Sequence, residues 1–214
     1  MSASGGTGGA QGRFAETARR RDADAARLLA RGAAYALGSL ADVGPETFGC
    51  PTPCAGWDLR ALLGHLDASV TGLAEATTGG IVGPVEGWEA CRAGAADLVD
   101  VVRDGITRLV GLRGDVALVA VGDCVLGRAD LAVVGAMELT VHGWDVGRAT
   151  GARRPVPPGL ALGLLRHAPR LVTADMRGAL FARPVPVPDA TDPGDLLVAY
   201  LGRDPSGRGP YASA

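Results

Sequence analysis

Arg128-Ala-Asp-Leu-Ala-Val-Val-Gly-Ala-Met-Glu138-Leu-Thr-Val-His142-Gly-Trp-Asp145-Val-Gly-Arg-Ala149 is the stretch on which the reading of this chain turns. It contains no proline and is closed by Thr150-Gly151, so it predicts a long helix over 128–149. Glu138 and His142 stand four residues apart and therefore point the same way. Their neighbours Leu131, Val133, Val134, Ala136, Met137, Leu139 and Val141 are apolar or small. An ionised carboxylate and an imidazole in such company need partners to offset desolvation. A metal ion satisfies both, and so does a structural pair; spacing alone does not choose between them. Asp145, three residues past His142, reads either as an acceptor for a ligand imidazole or as an exposed charge near the helix end.

Working outward, the chain has two other histidines, His65 and His167. His65 sits among Leu62, Leu63 and Leu66 in a segment that predicts a helix from about Leu59 to Ala76, with Asp58 as its N-cap. Bringing His65 opposite Glu138 and His142 produces two imidazoles and a carboxylate, a set that leaves a coordination position for water or substrate. His167, beside Arg166 and just before Pro169, reads as a surface or helix-end residue. Trp57, Trp88 and Trp144 read as packing residues, with a pocket wall as the alternative.

The rest of the chain predicts an all-α fold, a four-helix bundle with a short C-terminal extension. Ala18, Ala25, Leu28, Leu29, Ala33 and Leu37 recur at helical spacing between Phe14 and Leu40, and Gly44-Pro45 ends that helix. Cys50-Pro-Thr-Pro-Cys54-Ala-Gly-Trp57 is a stiff linker. A third helix is expected from Trp88 to Leu109, while Asp115 to Leu126 is β-leaning or irregular. Beyond the proline-rich break at Arg153–Gly159, Leu160–Thr173 predicts a shorter helix and Pro184–Pro188 an extended segment. Asp195–Gly202 predicts a last helical piece. The expected organisation is a disordered 1–12, the bundle over 13–151, an extension over 152–205 packed on it, and a flexible 206–214.

Composition sets outer limits. The 214 residues are 47% apolar but only 4% aromatic, which points to close helix packing through alanine, leucine and valine. The 33 glycines read mostly as compositional bias. A net charge of -2 offers no general attraction to nucleic acid or an anionic membrane. The basic run Arg19–Arg21 is followed at once by Asp22 and Asp24, a solvated helix face. No apolar leader precedes Cys50, Cys54, Cys91 and Cys124, so a cytoplasmic protein with reduced thiols is expected. Cys50 and Cys54 are one residue too far apart for a redox CxxC pair, and no role is assigned to any of the four.

Two separated motifs carry a family resemblance. Thr52-Pro-Cys54-x-x-Trp57-Asp58 leads into Leu62-Leu63-Gly-His65-Leu66. Later, Glu138-Leu-Thr-Val-His142-Gly-Trp-Asp145 is followed by Arg148-Ala-Thr-Gly151, and the tail, Phe181 to Pro188 with Leu196 to Pro205, agrees. The chain resembles the DinB/YfiT-like metal-binding superfamily, in particular the short actinobacterial branch similar to the N-terminal domain of mycothiol-dependent maleylpyruvate isomerase. That resemblance implies a four-helix bundle around one divalent metal held by His65, Glu138 and His142. Zinc suits that donor set first, with nickel, iron and manganese open. It also implies a low-molecular-weight thiol such as mycothiol as cosubstrate, in S-transfer or isomerisation of a small electrophilic metabolite. The isomerase's large C-terminal domain is not expected here, so maleylpyruvate is not carried over as substrate. Two alternatives stand beside this one: a non-catalytic metal-binding or sensor protein, and a metal-assisted lyase or cyclase. Arg60 and Arg148 are the nearest candidates to hold a substrate carboxylate, although their helix positions fit a surface role better. A monomer or homodimer is expected.

Overall fold

The computed structural model describes residues 7–79, 81–82, 95–112, 114, 116, 118–121, 124–178, 180–187 and 192–206. Its long helices are α1 (Thr7–Leu40), α2 (Leu59–Gly79), α3 (Ala95–Gly111) and α4 (Arg128–Ala149). The shorter α5 (Pro158–Leu165), α6 (Ala168–Leu171) and α7 (Pro193–Tyr200) follow. Strands β1 (Ile81–Val82), β2 (Leu118–Val121) and β3 (Cys124–Gly127) form one small sheet in the order β1-β2-β3. The β1–β2 pair is parallel and the β2–β3 pair antiparallel, with Val121 opposite Cys124 at the hairpin end. The fold is all-α with this sheet as an accessory.

The core lies on two sides of α4. On one side Ala33, Ala36, Leu59, Leu62, Leu66, Leu98, Ile106, Leu139 and Val146 join α1, α2 and α3 to α4. On the other, Leu28, Val133, Met137, Trp144, Leu160, Leu164, Leu197 and Leu201 bring α5, α7 and the turn after it onto α1 and α4. Ala76, Val119 and Leu131 make a small third cluster beneath the sheet. α4 is therefore covered from both sides, and nearly every residue from Leu131 to Gly147 is buried or half-buried. A helix apolar around most of its circumference is the kind that can occupy such a place.

Several expectations are corrected. The first helix begins at Thr7, so 7–12, expected to be disordered, are helical; 1–6 lie outside the described residues. Packing in α1 starts only at Ala25, and Gly12 to Asp24 are exposed. Within 115–126, of the two readings β-leaning and irregular, the first holds for the described residues, which carry β2 and the start of β3. The single helix expected over 160–173 is broken into α5 and α6 at Arg166–His167. Pro169 explains the break: it has no N–H to give to Leu165, and its ring crowds the carbonyl a turn earlier. The first residues of the third expected helix, Trp88 to Gly94, and the expected tail beyond Ser206 lie outside the described residues.

Two glycines have a packing reason. A Cβ on Gly32 would stand 2.8 Å from the Ala136 carbonyl oxygen, and one on Gly143 would stand 3.0 Å from the Ala36 Cα. They let α1 and α4 approach backbone to backbone, which composition alone does not reveal.

Candidate metal centre

The loop before α2 sets the first edge of the site. Thr52 Oγ1 donates to the Trp57 carbonyl at 2.9 Å, and the Cys54 N–H donates back to Thr52 Oγ1 at 3.2 Å. Gly56 takes φ +80 inside this turn. The Leu59 N–H reaches the Cys50 carbonyl at 2.9 Å, which ties the loop to the start of α2. Asp58 caps the helix as expected, its Oδ1 accepting from the Ala61 N–H at 2.8 Å. The loop is thus folded on itself rather than a simple linker, and it delivers Cys54 and Trp57 to the gap between α2 and α4.

His65, from α2, meets Glu138 and His142, from α4, in that gap. His65 Nε2 lies 2.9 Å from Glu138 Oε1 and 3.4 Å from Ser69 Oγ. His142 Nε2 lies 3.5 Å from the same carboxylate oxygen. The two imidazoles stand edge to face with centroids 5.0 Å apart, and the Trp57 and His65 ring centroids are 4.8 Å apart. All three expected ligands are therefore brought together, with one donor atom from each inside a 4.8 Å limit. His65 and Glu138 keep 26% and 24% of their side chains exposed, against 7% for His142, so solvent reaches the group from the His65–Glu138 side.

Behind His142 stands a second layer. Its Nδ1 is 3.0 Å from Asp145 Oδ2, and Asp145 has no exposed side-chain surface. This decides between the two readings of Asp145: it is the imidazole's acceptor, not an exposed charge. Arg203 clamps that carboxylate, donating from Nε to Oδ1 at 3.3 Å and from Nη2 to Oδ2 at 3.0 Å. Cys54 Sγ lies 3.3 Å from both Asp145 Oδ2 and Arg203 Nη2. Cys54 belongs to the first motif but had no role assigned from the sequence, and Arg203 was not singled out. The contact between them spans 149 positions, and no local spacing signals it.

Charges in this cluster are strongly coupled. Burial opposes ionisation of Glu138, but the His142 charge and the hydrogen bond from His65 overcome it and hold the carboxyl at about 2. Burial likewise opposes a charged His142, yet Glu138, Asp145 and Cys54 together push it up to about 10. Asp145 resists burial through Arg203 and His142 and lies below the usual carboxylate range. In the protein alone, a proton on His142 thus balances Glu138, while Arg203 is the main countercharge of Asp145.

Two overlapping groups among the described residues have metal-ligand chemistry: His65 with Glu138 and His142, and Cys54 with His142 and Asp145. The second already has the Arg203 guanidinium against both its thiol and its carboxylate, so its place for a cation is filled. In the first, Asp145 takes up Nδ1 of His142 and leaves Nε2 to face the gap. Metal bonds of about 2.1 Å in a tetrahedron put donor atoms about 3.4 Å apart, close to the 2.9 and 3.5 Å observed around Glu138. The donor types and these two separations suit a divalent ion.

The chain belongs to the mycothiol maleylpyruvate isomerase N-terminal domain family. The family profile matches residues 29–147, which include all three donors and Asp145 but not Arg203. Two uncharacterized proteins of Mycobacterium tuberculosis, from strains CDC 1551 and H37Rv, are each 31% identical over 172 residues. The match spans 77% of this chain and 89% of theirs. No solved structure gives a significant match.

The other expected residues fall elsewhere. His167 is half-buried at the start of α6 and lines a groove of about 570 Å³ with Arg21, Leu28 and Arg166, away from the donors. Arg60 lies over the Phe48 ring at 5.5 Å and Arg148 over Trp144 at 5.4 Å. Trp144 is a core residue. Cys50 is a half-buried free thiol, the Cys91 position lies outside the described residues, and Cys124 belongs to β3. No helix among the described residues is long and apolar enough to cross a membrane.

Proposed function

We propose that His65, Glu138 and His142 hold one divalent ion, zinc in the first instance, and that this centre serves a mycothiol-dependent S-transfer or isomerisation of a small electrophilic metabolite. The observation that carries the metal reading is the convergence of the three donor atoms from α2 and α4 while Asp145 occupies the far nitrogen of His142. Family membership supports the thiol half of the reading.

Charge favours an anionic guest. Asp145 is balanced by Arg203, so Glu138 alone offsets a divalent ion, and the site would keep one positive charge. When bound, the ion would supply the field that favours the ionised form of a thiol or water entering beside it. The chain's own side chains do the rest. Asp145 fixes the His142 ring, Trp57 walls the His65 side, and Ser69 offers a hydroxyl at the exposed edge. Leu62, Leu63 and Leu66, next to His65 along α2, are fully buried in the bundle core.

Cobalt substitution followed by titration with mycothiol tests this. A sulfur-to-cobalt charge-transfer band is expected in the wild type and not in E138A. Absence of the band with every small thiol, in protein that holds cobalt, would remove the thiol half of the reading and leave water or a substrate oxygen as the guest.

A further inference from the structure

The second layer behind His142 is completed from a part of the chain that the family profile does not cover. Arg203 follows α7 at a tightly specified turn. The Gly202 N–H bonds the Ala199 carbonyl at 3.0 Å, and the Arg203 N–H bonds the Val198 carbonyl at 2.9 Å. This pair of bonds, with Gly202 at φ +85, is a Schellman ending, in which the residue after the left-handed glycine is turned back along the helix. Space demands glycine there as well, because a Cβ would stand 2.7 Å from Ala182 Cβ and 2.9 Å from its carbonyl oxygen. The turn aims the Arg203 side chain inward. It is 11% exposed, its Nη1 is satisfied by the Leu201 carbonyl at 3.0 Å, and its remaining donors go to Asp145 and Cys54.

A buried carboxylate that orients a ligand imidazole must keep its charge and its direction. With no exposed surface, Asp145 depends on a buried countercharge for both. Arg203 grips both carboxylate oxygens, which fixes the plane of the carboxyl group and hence the direction from which Oδ2 meets His142 Nδ1. We infer that Arg203 is a positioning residue for the metal centre. It acts through Asp145 to set the His142 ring, so that the C-terminal turn is part of the site. This rests on the metal reading above.

The test measures zinc affinity by chelator competition, with circular dichroism of the metal-free proteins as a check on folding, for the wild type, R203M, D145N and R203M/D145N. Methionine preserves much of the bulk without charge. The expected result is a loss of about 10- to 100-fold in zinc affinity for R203M. In the D145N background, where no carboxylate needs a countercharge, R203M should cost nothing further. A role confined to holding the C-terminal turn in place predicts the opposite, an equal loss from R203M in both backgrounds, and that result overturns the inference. So does wild-type affinity in R203M. If R203M does not fold, the comparison of D145N with the double variant decides alone: affinity at least equal in the double variant supports the inference, and lower affinity overturns it. A wild type that takes up no zinc overturns the metal reading itself, and the inference with it.

Discussion

Glu138 and His142 hold opposite charges in the metal-free protein, and the pH dependence follows from their signs. His142 is raised from an ordinary 6.5 to about 10, so its stabilising share is complete below pH 6.5 and is lost as pH rises through 10. Glu138 is depressed from 4.5 to about 2, so its share is complete above pH 4.5 and is lost as pH falls through 2. Melting of the metal-free protein should therefore be highest between pH 4.5 and 6.5. Zinc must displace the proton from His142, so its affinity should instead rise over pH 6 to 9, by about tenfold per unit for that one proton. Opposite slopes for metal-free stability and zinc affinity are the expected result; parallel slopes would contradict the charge assignment. At this scale His65, Glu138 and His142 stood out as polar groups inside apolar helical runs, but the pattern left a structural pair open as well, and the family resemblance was what favoured a ligand set. Asp145 was legible as one of two options, and burial settled it. Cys54 and Arg203 were not, because their value lies in contacts that exist only once the loop before α2 and the turn after α7 close on α4.

α4 shows why element boundaries were easier to read than element environments. Its ends at Arg128 and Ala149 agree with those expected from the Thr150-Gly151 stop and the absence of proline. Its burial on two sides has no stripe to announce it, because a helix enclosed by α1–α3 on one side and α5 and α7 on the other carries apolar or small residues nearly all round. The break between α5 and α6 shows the opposite case, where one proline outweighed a run that otherwise reads as continuous helix. The α1–α4 crossing gives a direct prediction. Replacing glycine by alanine in an open helix position gains up to about 1 kcal/mol, and Gly12, with nothing within 4 Å of a built Cβ, should behave so. At Gly32 the new methyl would meet the Ala136 carbonyl oxygen at 2.8 Å, a backbone atom that cannot rotate away. G32A should therefore lose about 1–3 kcal/mol in chemical denaturation. Stability equal to wild type in G32A would mean that the two helices do not approach as closely as described.

Seen whole, the molecule is built around α4, which gives one side to the bundle core and the other to the C-terminal elements. The metal group and its supporting layer follow the same plan. His65 comes from α2, Glu138, His142 and Asp145 from α4, Cys54 from the loop before α2, and Arg203 from the end of the chain's described part. An all-α bundle with a C-terminal extension was legible from apolar periodicity and proline breaks. The small sheet was legible only as a β-leaning stretch at 115–126, without β1 or any pairing, because strands of two to four residues carry too little pattern. The central claim is that three side chains from two helices hold one ion. Metal analysis of purified wild type, H65A, E138Q and H142A, each dialysed against a trace of zinc, tests it most directly. The account predicts close to one zinc per wild-type chain and loss of most of it in each variant, with helical circular dichroism retained. Zinc at wild-type stoichiometry in H65A and H142A alike would contradict it.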